Sequence, residues 1–121
     1  MSHNSVSKNN SSTTPLAAGG TFVGNWDSLI SYQEIDVNLA GAPSYASGTL
    51  YFEFSPNKIN IDISIPLVIT SCNIVPIPIR VVLPYFRVRY VNGPISLNEL
   101  RLTTVYHSES STRLTRFANQ S

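Results

Sequence analysis

The sequence predicts an all-β domain, an antiparallel β-sandwich of about seven or eight strands, jelly-roll-like or Ig-like in plan. Three observations carry this. From Gly48 to Ile65, GTLYFEFSPNKINIDISI, apolar residues take every second position on both sides of a turn-like tetrad. Leu50, Phe52 and Phe54 are followed by Ile59, Ile61, Ile63 and Ile65, the period of a half-buried strand. A second alternation, YFRVRYV from Tyr85 to Val91, ends in the strong turn signal Asn92-Gly93-Pro94. Between such runs the chain is punctuated by Gly, Pro and Ser, and no segment shows a convincing helical period.

Taken in order, residues 1–20 are rich in Ser, Asn and Thr and too polar to bury apolar surface, so they read as an arm that is flexible or ordered by a partner. The folded domain is expected over residues 21–107. It starts with a short strand from Thr21 to Gly24 and a turn around Asn25-Trp26-Asp27-Ser28. A strand from about Tyr32 to Leu39 follows, where Ile35, Val37 and Leu39 alternate with Glu34, Asp36 and Asn38. The loop Ala40 to Ser47, with Gly41 and Pro43, leads to the hairpin. If Ser55-Pro56-Asn57-Lys58 is its turn, Phe54 faces Ile59, Phe52 faces Ile61 and Leu50 faces Ile63, which puts both apolar sets on one face. Pro66 is expected to interrupt the ladder. Leu67 to Ile69 and Ile77 to Leu83 are β-rich, and Pro76, Pro78 and Pro84 confine the latter to an edge or a strand margin. The last strand spans roughly Asn98 to His107, with Leu100, Leu102, Thr104 and Tyr106 on one face. A polar tail, residues 108–121, carries Arg113, Leu114, Arg116 and Phe117, which are candidate assembly contacts.

Composition limits the function. Length suits one core. Charged residues make up 12 % of the chain, well under the ordinary quarter or so. This neutral, Ser/Thr/Asn-rich surface costs little electrostatically when it meets copies or partners. A net charge of +1 offers no field for nucleic acid or anionic lipid, so neither is expected as a partner. The N-terminus lacks an apolar signal region and no run is long enough to span a bilayer, which points to synthesis in the cytoplasm. Cys72 is the only cysteine and reads as an inert thiol.

Chemistry finds little purchase. Glu34 with Asp36, and Glu53 with Asp62, share strand faces as paired carboxylates of a hydrolase would, but the polar face of any antiparallel sheet makes such pairs. His3 and His107 do not form a metal pair, no zinc or calcium spacing occurs, and no Gly-x-Ser-x-Gly elbow surrounds a serine. No catalytic residue, cofactor or metal is expected. Arg87 and Arg89, interleaved with Tyr85, Phe86 and Tyr90, form the sharpest polar constellation. They share one strand face, with Glu34, Asp36 or Glu53 as the expected cross-strand partner. Trp26 reads as a core plug in preference to a sugar platform. Trp26, Arg87 and Arg89 are the candidate recognition surface.

The succession TFVGNWDSLISYQEIDVNL, GTLYFEFSPNKINIDISI, YFRVRYVNG and LRLTTVYH resembles small β-sandwich domains in virion structural proteins of DNA viruses. Such domains occur in tailed-phage fibres, spikes and collars and in minor virion proteins of large eukaryotic DNA viruses. The resemblance covers about Thr21 to His107. It implies a non-enzymatic minor capsid, cement, spike or fibre component located in the virion. Such a component would assemble with copies or with other virion proteins through edge strands and arms. The alternative is a module that binds a host glycan or receptor.

Overall fold

The computed structural model describes residues 4–42, 47–69 and 74–108, and over these the chain is an antiparallel β-sandwich with no helix. Among the described residues nine strands form two sheets. They are β1 (Asn4–Ser12), β2 (Thr21–Val23), β3 (Asp27–Ser28), β4 (Glu34–Ala42), β5 (Gly48–Ser55), β6 (Ile63–Ile69), β7 (Ile74–Arg80), β8 (Tyr85–Asn92) and β9 (Glu99–His107). The first sheet has the order β1-β9-β4-β7. The second runs β2-β8-β5-β6, with the short β3 also paired to β8.

Alternation places the core as expected. Phe52 and Phe54 on β5 and Phe86, Val88 and Tyr90 on β8 point inward from the second sheet. Ile35, Val37 and Leu39 on β4 meet them from the first, with Leu100, Leu102 and Tyr106 on β9. Each such side chain gains about 1.5–3 kcal/mol by leaving water. Phe86 joins the layers: its ring lies 5.0 Å from that of Phe54 in its own sheet and 6.3 Å, edge-on, from that of Tyr106 in the other.

The hairpin differs from its expected register. Phe54 pairs with Ile63, Phe52 with Ile65 and Leu50 with Leu67. Because the slip is an even number of residues, the face is kept while every partner changes. The loop is the cause. Ser55 Oγ accepts the amides of Asn57 (3.1 Å) and Lys58 (2.8 Å), and Asn57 Oδ1 accepts those of Ile59 and Asn60, both at 2.9 Å. Lys58 takes a left-handed conformation (φ 67°). These local bonds compete with the ladder, which resumes with the Asp62 amide on the Phe54 carbonyl (3.1 Å). Ile59 is left 81 % exposed. Pro66 does not end the ladder either: it lies inside β6 opposite Tyr51, where an edge strand tolerates the missing amide hydrogen.

The larger correction concerns residues 1–20. The segment read as an arm contributes β1, which pairs with β9 from Asn4 opposite His107 to Ser12 opposite Leu102. Leu16 then exchanges both main-chain bonds with Leu97 (2.9 and 2.8 Å). Apolar burial does not hold β1, since its buried side chains are Ser7 and Asn10. Hydrogen bonds to partners distant in sequence hold it. The tail from residue 109 onward, with Arg113, Leu114, Arg116 and Phe117, lies outside the described residues, as do His3 and Cys72.

Candidate functional site

Two polar constellations stand out, one on the outer face of the second sheet and one at the β1 edge of the first. On β8 the inward set Phe86, Val88 and Tyr90 forces Tyr85, Arg87 and Arg89 outward. On β5 the same alternation turns Tyr51 and Glu53 outward, and register sets Glu53 opposite Arg87 and Tyr51 opposite Arg89. Glu53 is thus the partner among the three carboxylates considered. It accepts Arg87 Nε at 2.8 Å and Arg89 Nε at 3.1 Å. The Arg87 guanidinium lies 4.5 Å from the centroid of the Trp26 ring, and that of Arg89 lies 3.8 Å from the centroid of Tyr51. Lys58 stands 5.1 Å from the centroid of Tyr85. Covered by these groups, the Glu53 side chain keeps only 2 % of its surface in solvent although it points away from the core.

Trp26, Arg87 and Arg89 are therefore brought together as a surface. Trp26 is not the core plug its sequence position suggests: the turn between β2 and β3 holds it half-buried on the outside, against Arg87. Glu53 and Asp62 do not act as a carboxylate pair, since Glu53 is tied to two arginines and Asp62 is exposed at the loop end. Asp36 meets His107 Nε2 at 2.7 Å. Among the described residues no group of three or more His, Cys, Asp or Glu side chains is placed to hold a metal ion, and no helix is long and apolar enough to cross a membrane.

The second constellation was illegible in the sequence. Asp27 receives the Ser7 hydroxyl, the Asn9 amide (2.6 Å), the Asn10 amide (2.9 Å) and the Tyr106 hydroxyl (2.6 Å). Burial pushes the Asp27 carboxyl up, but these four donors together outweigh it and hold the group below its ordinary value. Burial, joined by the bond to Asp27, raises the Tyr106 phenol far above its usual range. Asn10, fully buried, accepts the Val88 amide on Oδ1 (2.8 Å) and donates to the Asn25 carbonyl (3.0 Å). It fills the gap in the ladder of β8, which β2 leaves at Arg89 and β3 rejoins at Phe86. Gly24 is required there, because a Cβ on it would lie 1.9 Å from Asn10 Oδ1. A cavity of about 210 Å3 opens beside this staple, between Ser7, Lys8, Asp27, Tyr32 and Tyr106. Its carboxylate is already engaged by four donors, which marks the cluster as a structural tie between β1, β3 and β9.

Residues 1–107 match the family described as the N-terminal domain of the uncharacterised protein YqxG. The chain belongs to this family. The matched region contains β1 and closes at the end of β9, so the family unit includes the polar N-terminal strand. Among solved structures, the crystal structure of PBSX exported protein XepA is similar, with a TM-score of 0.63 and 15 % sequence identity. The likeness covers 86 % of this chain and 36 % of that protein's chain, and it is one of fold. No curated protein matches.

Proposed function

We propose that this chain is a non-enzymatic structural component of a phage-type virion, and that it packs against its neighbours through the open edge of the sandwich formed by β6 and β7. The observation that carries this reading is the contrast between the two edges. One is stapled shut by Asn10, Asp27 and Tyr106. The other displays more apolar surface: Ile59, Ile61 and Ile65 are exposed and Val68 is 68 % exposed, against Val6 and Val23 on the stapled side. Register turns Ile65 toward the core, yet it stays half-uncovered. Apolar groups left in solvent at several points along one edge are groups that a neighbour could cover. Pro66 and Pro78 remove main-chain donors from β6 and β7, so contact through side chains is favoured over strand addition. The fold shared with an exported PBSX protein and the resemblance to virion sandwich domains support the same reading.

The test is Val68→Lys combined with Ile59→Lys. Both positions are exposed, so the unfolding free energy should change by no more than about 0.5 kcal/mol per site. Incorporation into particles, measured by density-gradient sedimentation from a host producing them, should fall sharply. Normal incorporation of the folded double variant would refute the edge. A chain that never co-sediments with particles would refute the virion role. The second reading, a glycan- or receptor-binding module, rests on Trp26 and Tyr51. One face of each ring already carries a guanidinium, and a glycan array with Trp26→Ala as control separates the two.

A further inference from the structure

We propose that the outer face of the second sheet is a docking surface for an extended, acidic segment of a protein partner, seated along β8 on Arg87 and Arg89. This surface is distinct from the β6 edge and does not depend on its role. Three features converge on it. The residues at its centre, Trp26, Tyr51, Arg87 and Arg89, are of the types that dominate the energetics of protein interfaces. They are also held in place beforehand: Glu53 fixes both guanidinium groups and the rings flank them, so little side-chain entropy remains to be lost on binding. Finally, charge is complementary to an acid. Arg87 and Arg89 share the one carboxylate of Glu53, so the three groups together stay positive.

The geometry narrows the partner. The bonds to Glu53 run through Nε of each arginine, and a guanidinium has four further N–H donors on its terminal nitrogens. The two arginine side chains keep 23 % and 32 % of their surface in solvent. Arg87 and Arg89 are alternate residues of one strand, so their side chains stand about 7 Å apart. An extended peptide with acidic residues at alternate positions repeats that spacing and can offer each guanidinium a carboxylate. Single-stranded nucleic acid is disfavoured, because guanidinium groups already cover ring faces on which bases would stack and the chain's net charge is only +1.

The experiment is fluorescence anisotropy of the full chain with a fluorescein-labelled peptide of five Ser-Glu repeats. A Ser-Gln repeat, a block peptide of five Ser then five Glu, an oligothymidine and phosphatidylglycerol vesicles serve as comparisons. Binding of the alternating acidic peptide should be at least tenfold tighter than that of the Gln peptide and several-fold tighter than that of the block peptide. Arg89→Lys and Trp26→Phe, both small changes on the outer face, should each weaken it about fivefold. In the unmodified chain, the peptide should shift the Arg87 and Arg89 Nε–H and Trp26 indole resonances, a readout that stands even if a variant fails to fold. Equal binding of the Gln or block peptide, tighter binding of oligothymidine or vesicles, or unshifted resonances would each overturn the proposal.

Discussion

Replacing Asn10 with Ala should unfasten the β1 edge and cost about 2–4 kcal/mol. Val88 is fully buried, and its amide donates to Asn10 Oδ1 at 2.8 Å. Leaving that donor unpaired costs about 1–3 kcal/mol. The carbonyl of Asn25 and the carboxylate of Asp27 each lose a donor as well, worth about 0.5–1.5 kcal/mol apiece. Water entering the vacated space recovers part of this total of roughly 2–6 kcal/mol and brings its upper end down. Against a total stability of about 5–15 kcal/mol, this lowers the thermal midpoint by roughly 8–16 °C. The assay is urea unfolding followed by circular dichroism, with amide hydrogen exchange read at Val88. Gly24→Ala supplies a check on mechanism. Its Cβ would lie 1.9 Å from Asn10 Oδ1 but also 2.8 Å from the Asn9 carbonyl, so Asn10→Ala should relieve only part of the clash. The two changes should therefore cost less together than the sum of their separate costs, by about 0.5–3 kcal/mol. A loss below about 1 kcal/mol with Val88 still protected, or strict additivity, would refute the staple.

Asp27, held below its ordinary value, should contribute stability that is present above pH 3.8 and is lost as pH falls through its lower folded-state value. Asp27→Asn should flatten that acid limb of the pH–stability curve. Tyr106, whose phenol is raised, works in the opposite range: its contribution is intact below about pH 10 and declines as pH rises beyond it, because the unfolded chain ionises first. Tyr106→Phe should reduce the alkaline slope measured by urea titration. Glu53→Gln should destabilise by about 1–3 kcal/mol, less than a fully buried pair would lose, because both arginines are partly solvated. The same change should broaden the Arg87 and Arg89 Nε–H resonances, and an unaltered spectrum would count against their immobilisation.

The sequence disclosed what depends on period. The faces of β8 and β9 follow from alternation, since Phe86, Val88 and Tyr90, and Leu100, Leu102, Thr104 and Tyr106, are the buried sets expected. The outward pairing of Arg87 and Arg89 was visible for the same reason, with Glu53 one of three eligible partners. Which carboxylate they meet was hidden, because it depends on β5 lying beside β8, a neighbour relation that no local pattern encodes. The hairpin shows the limit within a single motif. Parity survived while pairing moved, because Ser55 and Asn57 capture the loop amides before the ladder can.

Residues 4–12 mark the boundary most sharply. A strand recognised by buried apolar alternation is announced by its own residues, because water rejects those side chains whatever lies opposite. β1 has no such signal. Its order comes from hydrogen bonds to Asp27, Val88, Thr104 and Tyr106, which lie 17 to 96 residues further along the chain. A polar side chain is content in water until a geometrically fitted partner is supplied. The sequence by itself therefore determined a two-layered β domain and the faces of its apolar strands. Only the tertiary structure decided that the polar N-terminal segment is one of those strands, and which carboxylate holds the two arginines on the outer face.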